Sequence, residues 1–167
     1  MRAFVNFVSL VFALHFVPST SVAAEWLHYQ DPVFGYSVSI PDDGFEIETD
    51  ATRNGLTIYE RDGRGQIDVY AVRDEDGLSL IELRAALADA ERIRQITYSR
   101  SGNSWFVVSG YYNRSSEEAA DLIFYAKFMI SADRQSVSAF EASYPISDKR
   151  RYDPIIERME DTLTPPG

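Results

Sequence analysis

The sequence predicts an α+β fold: an antiparallel β-sheet of about six to seven strands with an α-helix packed on each face. Three observations carry this expectation. Period-2 alternation recurs from Tyr36 to Tyr144, and clusters of Gly, Asn and Asp break it at short intervals. Helical periodicity interrupts it only twice, after Ser79 and after Asp153.

The chain opens with Met1 and Arg2, continues as an almost unbroken apolar run from Ala3 to Val17, and reaches small residues at Ser21 to Ala24, the pattern of a secretory signal peptide. The run is roughly 15 residues, short of the about 20 that span a bilayer. Asn6 and His15 interrupt it and Pro18 ends it. Val22 and Ala24 occupy the small-residue positions before a cut, so cleavage is expected between Ala24 and Glu25. Removing 24 of 167 residues leaves 143, which suits one domain that buries roughly two thirds of its unfolded surface. The expected organisation is a signal peptide over 1–24, a single domain over 25–163 and a frayed tail over 164–167. No second spanning run follows, so the processed product is expected to be soluble and periplasmic.

In the first half, Tyr36, Val38 and Ile40 alternate with Ser37 and Ser39, and Pro41 closes that strand. Leu56 and Ile58 flank Thr57, and Ile67, Val69 and Ala71 alternate with Asp68, Tyr70 and Val72. The turns between them are Asp42-Asp43-Gly44, Arg53-Asn54-Gly55 and Asp62-Gly63-Arg64-Gly65. From Ser79 the period changes: Leu80, Leu83, Leu87 and Ala90 make a stripe, Ser79 and Glu82 make a capping box, and the helix should end near Arg92 to Arg94. Strands follow at Ile96–Arg100, Trp105–Tyr112, Leu122–Ser131 and Val137–Tyr144. Leu122–Ile130 is bulky on both faces, as a mid-sheet strand covered on each side would be. Asp153 and Pro154 read as N-cap and N1 of a last helix with Ile155, Ile156, Met159 and Leu163 on its apolar stripe.

Composition removes several function classes. There is no cysteine, hence no disulfide framework, no thiol catalysis, no thiolate metal site and no lipidated N-terminal cysteine. The net charge of -10 opposes binding to nucleic acid or an anionic membrane face.

The pattern Tyr29-x-Asp31-Pro32-x-Phe34-Gly35-Tyr36-Ser37-x-x-Ile40-Pro41 resembles the opening of PsbP-like domains, and the order of elements is similar to that α/β/α sandwich. The sequence is also similar to small exported bacterial proteins, through Asn103–Tyr111, Phe124–Lys127 and Tyr152–Met159. PsbP-like members serve as photosystem assembly or stabilising subunits and as partner-binding modules. The resemblance therefore implies a binding or assembly role, and no functional residue carries over.

Read from the residues, no catalytic set assembles. His28 is the single histidine after Ala24 and has no nucleophile-elbow pattern beside it; Ser109 lacks one too. Glu46 and Glu48 alternate with Phe45 and Ile47 as a strand's solvent face would. Asp74-Glu75-Asp76 is the densest acidic loop, but Leu78, Ser79 and Ala85 fall where an EF-hand needs an oxygen ligand, Gly and Glu, so a solvated connection is expected, with another type of cation site as the alternative. Lys149-Arg150-Arg151 is flanked by Asp148 and Asp153 and reads as a self-neutralised helix start. Asn113-Arg114-Ser115 is a formal sequon.

Aromatic side chains offer large contact area at low entropic cost. The candidate partner surface is accordingly Trp26, Tyr29, Tyr98, Trp105, Tyr111 and Tyr112, although Trp105 and Tyr111 share one strand parity and Tyr112 takes the other. The expected function is a non-enzymatic, exported domain that binds a protein or supports assembly or envelope upkeep, with no cofactor and no metal. A small-ligand carrier with a pocket between sheet and helix, hinted at by Leu122–Ile130, and a carboxylate hydrolase are the alternatives.

Overall fold

A computed structural model describes residues 25–50, 54–73, 83, 94–112 and 121–167. The expected signal peptide, the Asp74-Glu75-Asp76 loop, the Asn113-Arg114-Ser115 sequon and all of the expected first helix except Leu83 lie outside these residues.

Among the described residues nine strands form two sheets. β1 (Trp26–Gln30) and β2 (Ser37–Pro41) pair as an antiparallel hairpin. Its turn is held by Asp31, whose Oδ1 accepts from the amides of Val33 at 2.9 Å and Phe34 at 2.6 Å, the side-chain mimicry of a backbone turn that favours Asp there. The second sheet comprises β3 (Phe45–Asp50), β4 (Gly55–Glu60), β5 (Gln66–Arg73), β6 (Arg94–Ser101), β7 (Trp105–Tyr112), β8 (Leu122–Ile130) and β9 (Ser136–Pro145). Its order is β3-β4-β5-β9-β8-β7-β6, antiparallel throughout.

The alternation expected from the sequence sorts the sheet into two faces. On one, Leu56, Ile58, Ile67, Val69, Phe140 and Ala142 join Tyr36, Val38 and Ile40 of the hairpin in the larger core. On the other, Phe106, Phe124, Phe128 and Ile130 form a second core, with the Phe106 and Phe128 rings stacked at 4.5 Å. β8 supplies residues to both, as a bulky two-faced strand should.

A helix on each face is not supported by the described residues. Their single α-helix, Lys149–Thr162, covers the larger core. On the opposite face Leu83 is helical and packs on the second core. β5 and β6 run in the same direction with three strands, β9, β8 and β7, between them.

The C-terminal helix also starts earlier than Asp153-Pro154. A 3₁₀ turn, Ile146–Asp148, leads into Lys149, and Pro154 sits inside the helix. The earlier start makes Tyr152 helical and buries it: its ring stacks on Tyr144 at 4.3 Å and 2° and meets Phe45 edge-on at 6.3 Å, pairs worth about 0.5–1.5 kcal/mol each beyond area burial. The carbonyl that Pro154 leaves without a donor belongs to exposed Arg150, where water can serve it.

Glu60 anchors this end of the helix. Its side chain is 4% exposed and accepts from the Arg151 guanidinium, the Tyr152 hydroxyl at 3.2 Å and the Gly65 amide at 3.1 Å. Gly65 is required there, because a Cβ would run into the Tyr152 hydroxyl. At the other end, the Lys127 ammonium donates to the Glu160 carbonyl at 2.6 Å, a favourable place for a cation at a helix C-terminus.

The tail over 164–167, expected to fray, is bonded instead. The Thr164 amide donates to the Ser37 carbonyl and the Gly167 amide to the Phe34 carbonyl, both at 2.9 Å, and Pro166 is buried. With the Ser138 hydroxyl on the Thr164 carbonyl at 2.7 Å, the tail becomes a strap across the hairpin.

Removing the buried carboxylate should unfasten the helix start. Glu60→Ala is expected to lower unfolding free energy by about 3 kcal/mol in urea titration, since it strands two buried donors. Arg151→Ala takes the cation from that buried carboxylate and should cost about 1–3 kcal/mol, less than Glu60→Ala because the Arg151 side chain is 50% exposed and water can replace it.

Candidate functional site

The helix packs on β2 and β9, so the same sheet face beyond it, on β6, β7 and β8, is left with exposed or half-buried rings: Tyr98, Trp105, Tyr111 and Tyr125. Between these strands and the helix runs an open groove of about 360 Å³. Its floor is Tyr98, Tyr111, Tyr125 and Tyr144 with Ile123 and Ile156, and the helix side supplies Lys149, Asp153, Glu157 and Glu160.

A single inserted residue makes the floor. Ile96 pairs with Gly110 and Tyr98 with Ser109, so Thr97 is a β-bulge in β6. Without it, Ile96 and Tyr98 would share a face. With it, Ile96 packs on the second core while Tyr98 turns to the groove, 50% exposed, beside Tyr111 at 41%. Gly110 lets β6 approach, since a Cβ there would run into the Gln95 carbonyl oxygen.

The groove's polar groups are partly committed. Lys149 donates to both oxygens of Asp153, at 2.6 and 2.9 Å, and the Tyr125 hydroxyl donates to Glu160 Oε2 at 2.7 Å. Burial raises the Tyr125 phenol, and Glu160 beside it raises it further. Burial also pushes Tyr144 up to about 12. Lys127, behind the groove, is lowered by burial in spite of Glu160 and Asp161, and it lies 6.0 Å from the Trp105 ring.

Of the six aromatic residues singled out in the sequence, the structure brings Tyr98 and Tyr111 together in the groove and places Trp105 on the same face. Tyr112 points to the opposite face, edge-on to Phe124 at 5.7 Å. Tyr29 packs edge-on to Tyr36 at 5.9 Å and donates to Asp31 Oδ2 at 3.1 Å. Trp26 lies under the Arg158 guanidinium at 5.8 Å and lines a separate cleft of about 320 Å³ with Pro41, Phe45, Pro154 and Ile155. Sequence reasoning missed Tyr125, Tyr144, Asp153, Glu157 and Glu160. The spacing of the three acids, at i, i+4 and i+7, puts them on one helix face and was available as a signal. The tyrosines reach the groove only through the strand order.

Among the described residues no group of three or more His, Asp or Glu is placed to hold a metal ion, and no helix is long and apolar enough to cross a membrane.

No protein-family model matches the chain, and no curated protein matches it in sequence. Solved structures do match. The solution structure of cyanobacterial PsbP (CyanoP) from Synechocystis superposes with a TM-score of 0.58 at 15% identity, over 91% of this chain and 98% of that one. The Saccharomyces cerevisiae Ran-binding protein Mog1p gives 0.58 at 9% identity, over 85% and 96%, and a point mutant of Mog1 gives 0.57 at 8%, over 84% and 95%. The architecture is that of an α+β domain with a mostly antiparallel sheet; the particular fold is PsbP-like, as the opening motif implied.

Two outcomes follow from this geometry. Gly110→Ala should lower stability by about 1–3 kcal/mol, the usual cost of overpacking, read as a fall in thermal midpoint. Burial holds Tyr144 and Tyr152 near 12 against an ordinary 10.0 and also raises Tyr36 and Tyr125. The unfolded chain therefore loses these protons first, so their contribution is intact below pH about 10 and is lost as pH climbs through about 12. Urea midpoints should fall across that window, in step with tyrosinate absorbance.

Proposed function

We propose that this is an exported, non-enzymatic domain that binds a protein partner on the tyrosine-floored groove, in an assembly or envelope-upkeep role. One observation carries the reading: Tyr98 and Tyr111 stand half-exposed on a sheet face that the C-terminal helix leaves uncovered, directed there by the bulge at Thr97. Amphipathic rings on a rigid sheet are suited to anchor a partner. The likeness to Mog1p, a Ran-binding protein, supports the use of this fold for protein binding.

Export rests on the signal pattern of Met1 to Ala24. β1 begins at Trp26, so cleavage between Ala24 and Glu25 removes no strand. The absence of catalysis is supported by the state of the groove's acids: Asp153 is ion-paired, Glu160 holds a phenol, and Glu157 is exposed. A small-ligand carrier is less favoured, because the Tyr125–Phe140 and Tyr144–Tyr152 stacks fill the space beneath the groove.

The test is site-specific photocrosslinking in the native cells, with the crosslinker replacing Tyr98, Tyr111 or, as a control on the opposite face, Tyr59. A periplasmic protein adduct from the first two positions and none from the third is expected. Tyr98→Ala with Tyr111→Ala should abolish capture while changing stability by no more than about 0.5 kcal/mol per site. Equal adducts at all three positions, or none, would refute the reading.

A further inference from the structure

Resting on that reading, we propose that the groove selects a basic segment of its partner, with a lysine or arginine side chain laid on the Tyr98 and Tyr111 rings and its cationic head at Glu157. The accounting of charges leads to Glu157. Three carboxylates line the helix side against the single ammonium of Lys149, leaving two negative charges. Both Asp153 oxygens are taken by Lys149, and Glu160 accepts from Tyr125. Glu157 makes no hydrogen bond or ion pair among the described residues, so it is the acceptor left for a ligand.

The other half of the groove narrows what that ligand is. Aromatic faces attract cations, and Ile123 and Ile156 in the floor match the apolar stem that a lysine or arginine carries behind its charge. A bare metal ion would use neither, and the described acids form no metal-binding group. An anionic segment would meet three carboxylates on a chain of net charge -10; a basic one would be steered inward by the same field.

Tetra-arginine amide, free arginine amide and tetra-glutamate serve as probes in a ¹⁵N–¹H NMR titration of the protein recovered from its cells. Tetra-arginine amide should shift the resonances of Tyr98, Tyr111 and Glu157, and more salt should weaken it. Free arginine amide should bind at least about tenfold more weakly, and Glu157→Lys should weaken tetra-arginine amide by at least about tenfold. Glu157 is exposed, so that variant should fold, as circular dichroism can verify, and Glu157→Gln provides a second, milder reading. Shifts centred elsewhere, an equal response to tetra-glutamate, or unchanged affinity in Glu157→Lys would overturn the proposal. Free arginine amide binding as well as the peptide would overturn the choice of a protein segment. A partner crosslinked at Tyr98 and Tyr111 but indifferent to Glu157→Lys would sink the charge selectivity alone and leave the groove as a protein site.

Discussion

The structure depends on one buried carboxylate. Glu60 ends β4 inside the protein, and a charge in that position persists only if its acceptors are met. Two of its donors, Arg151 and Tyr152, lie in the first turn of the C-terminal helix, and the third is the Gly65 amide beyond the β4–β5 turn. Satisfying Glu60 therefore sets where the helix begins and presses the Tyr152 ring onto Tyr144. Lys127 holds the far end through the Glu160 carbonyl. Between those two fastenings the helix follows one line, over β9 and against β2, and among the described residues no element covers the strands beyond that line.

What the helix does not cover becomes usable because of a defect in the sheet. β6 is an edge strand, and edge strands invite unwanted pairing unless something disrupts them. The bulge at Thr97 both interrupts the edge and reverses the parity of the residues after it. Ile96 stays with the second core while Tyr98 joins Tyr111. The two consequences cannot be separated, since one inserted residue causes both, and Gly110 is the neighbour that makes room for it.

The N- and C-terminal parts of the domain close on each other. The β1–β2 hairpin supplies Tyr36, Val38 and Ile40 to the larger core, and it is gripped from outside by Thr162, Thr164 and Gly167. The aromatic opening motif thus works as a fold element. Tyr29 is spent on Tyr36 and Asp31, and Trp26 on Arg158.

Local pattern was enough to read the strands of the larger sheet, the turns, the apolar stripe of the last helix and the PsbP-like opening, because burial of one face imposes period 2 or period 3.6 directly on neighbouring residues; β1, exposed along most of its length, carries no such pattern and was not read as a strand. Parity within β7 already separated Tyr111 from Tyr112. The bulge was not legible: nothing around Thr97 differs from an unbroken strand until Gly110 is known to lie opposite. The early helix start and the fastened tail were equally hidden, since their causes, Glu60 and Ser37, are 92 and 127 residues away from Tyr152 and Thr164. By itself the sequence determined most of the strand segments, the apolar face of those without a bulge, and the acidic, cysteine-free character of the chain. Only the tertiary structure decided that tyrosines from four strands meet three carboxylates of one helix, because strand order and register are set by contacts between distant residues.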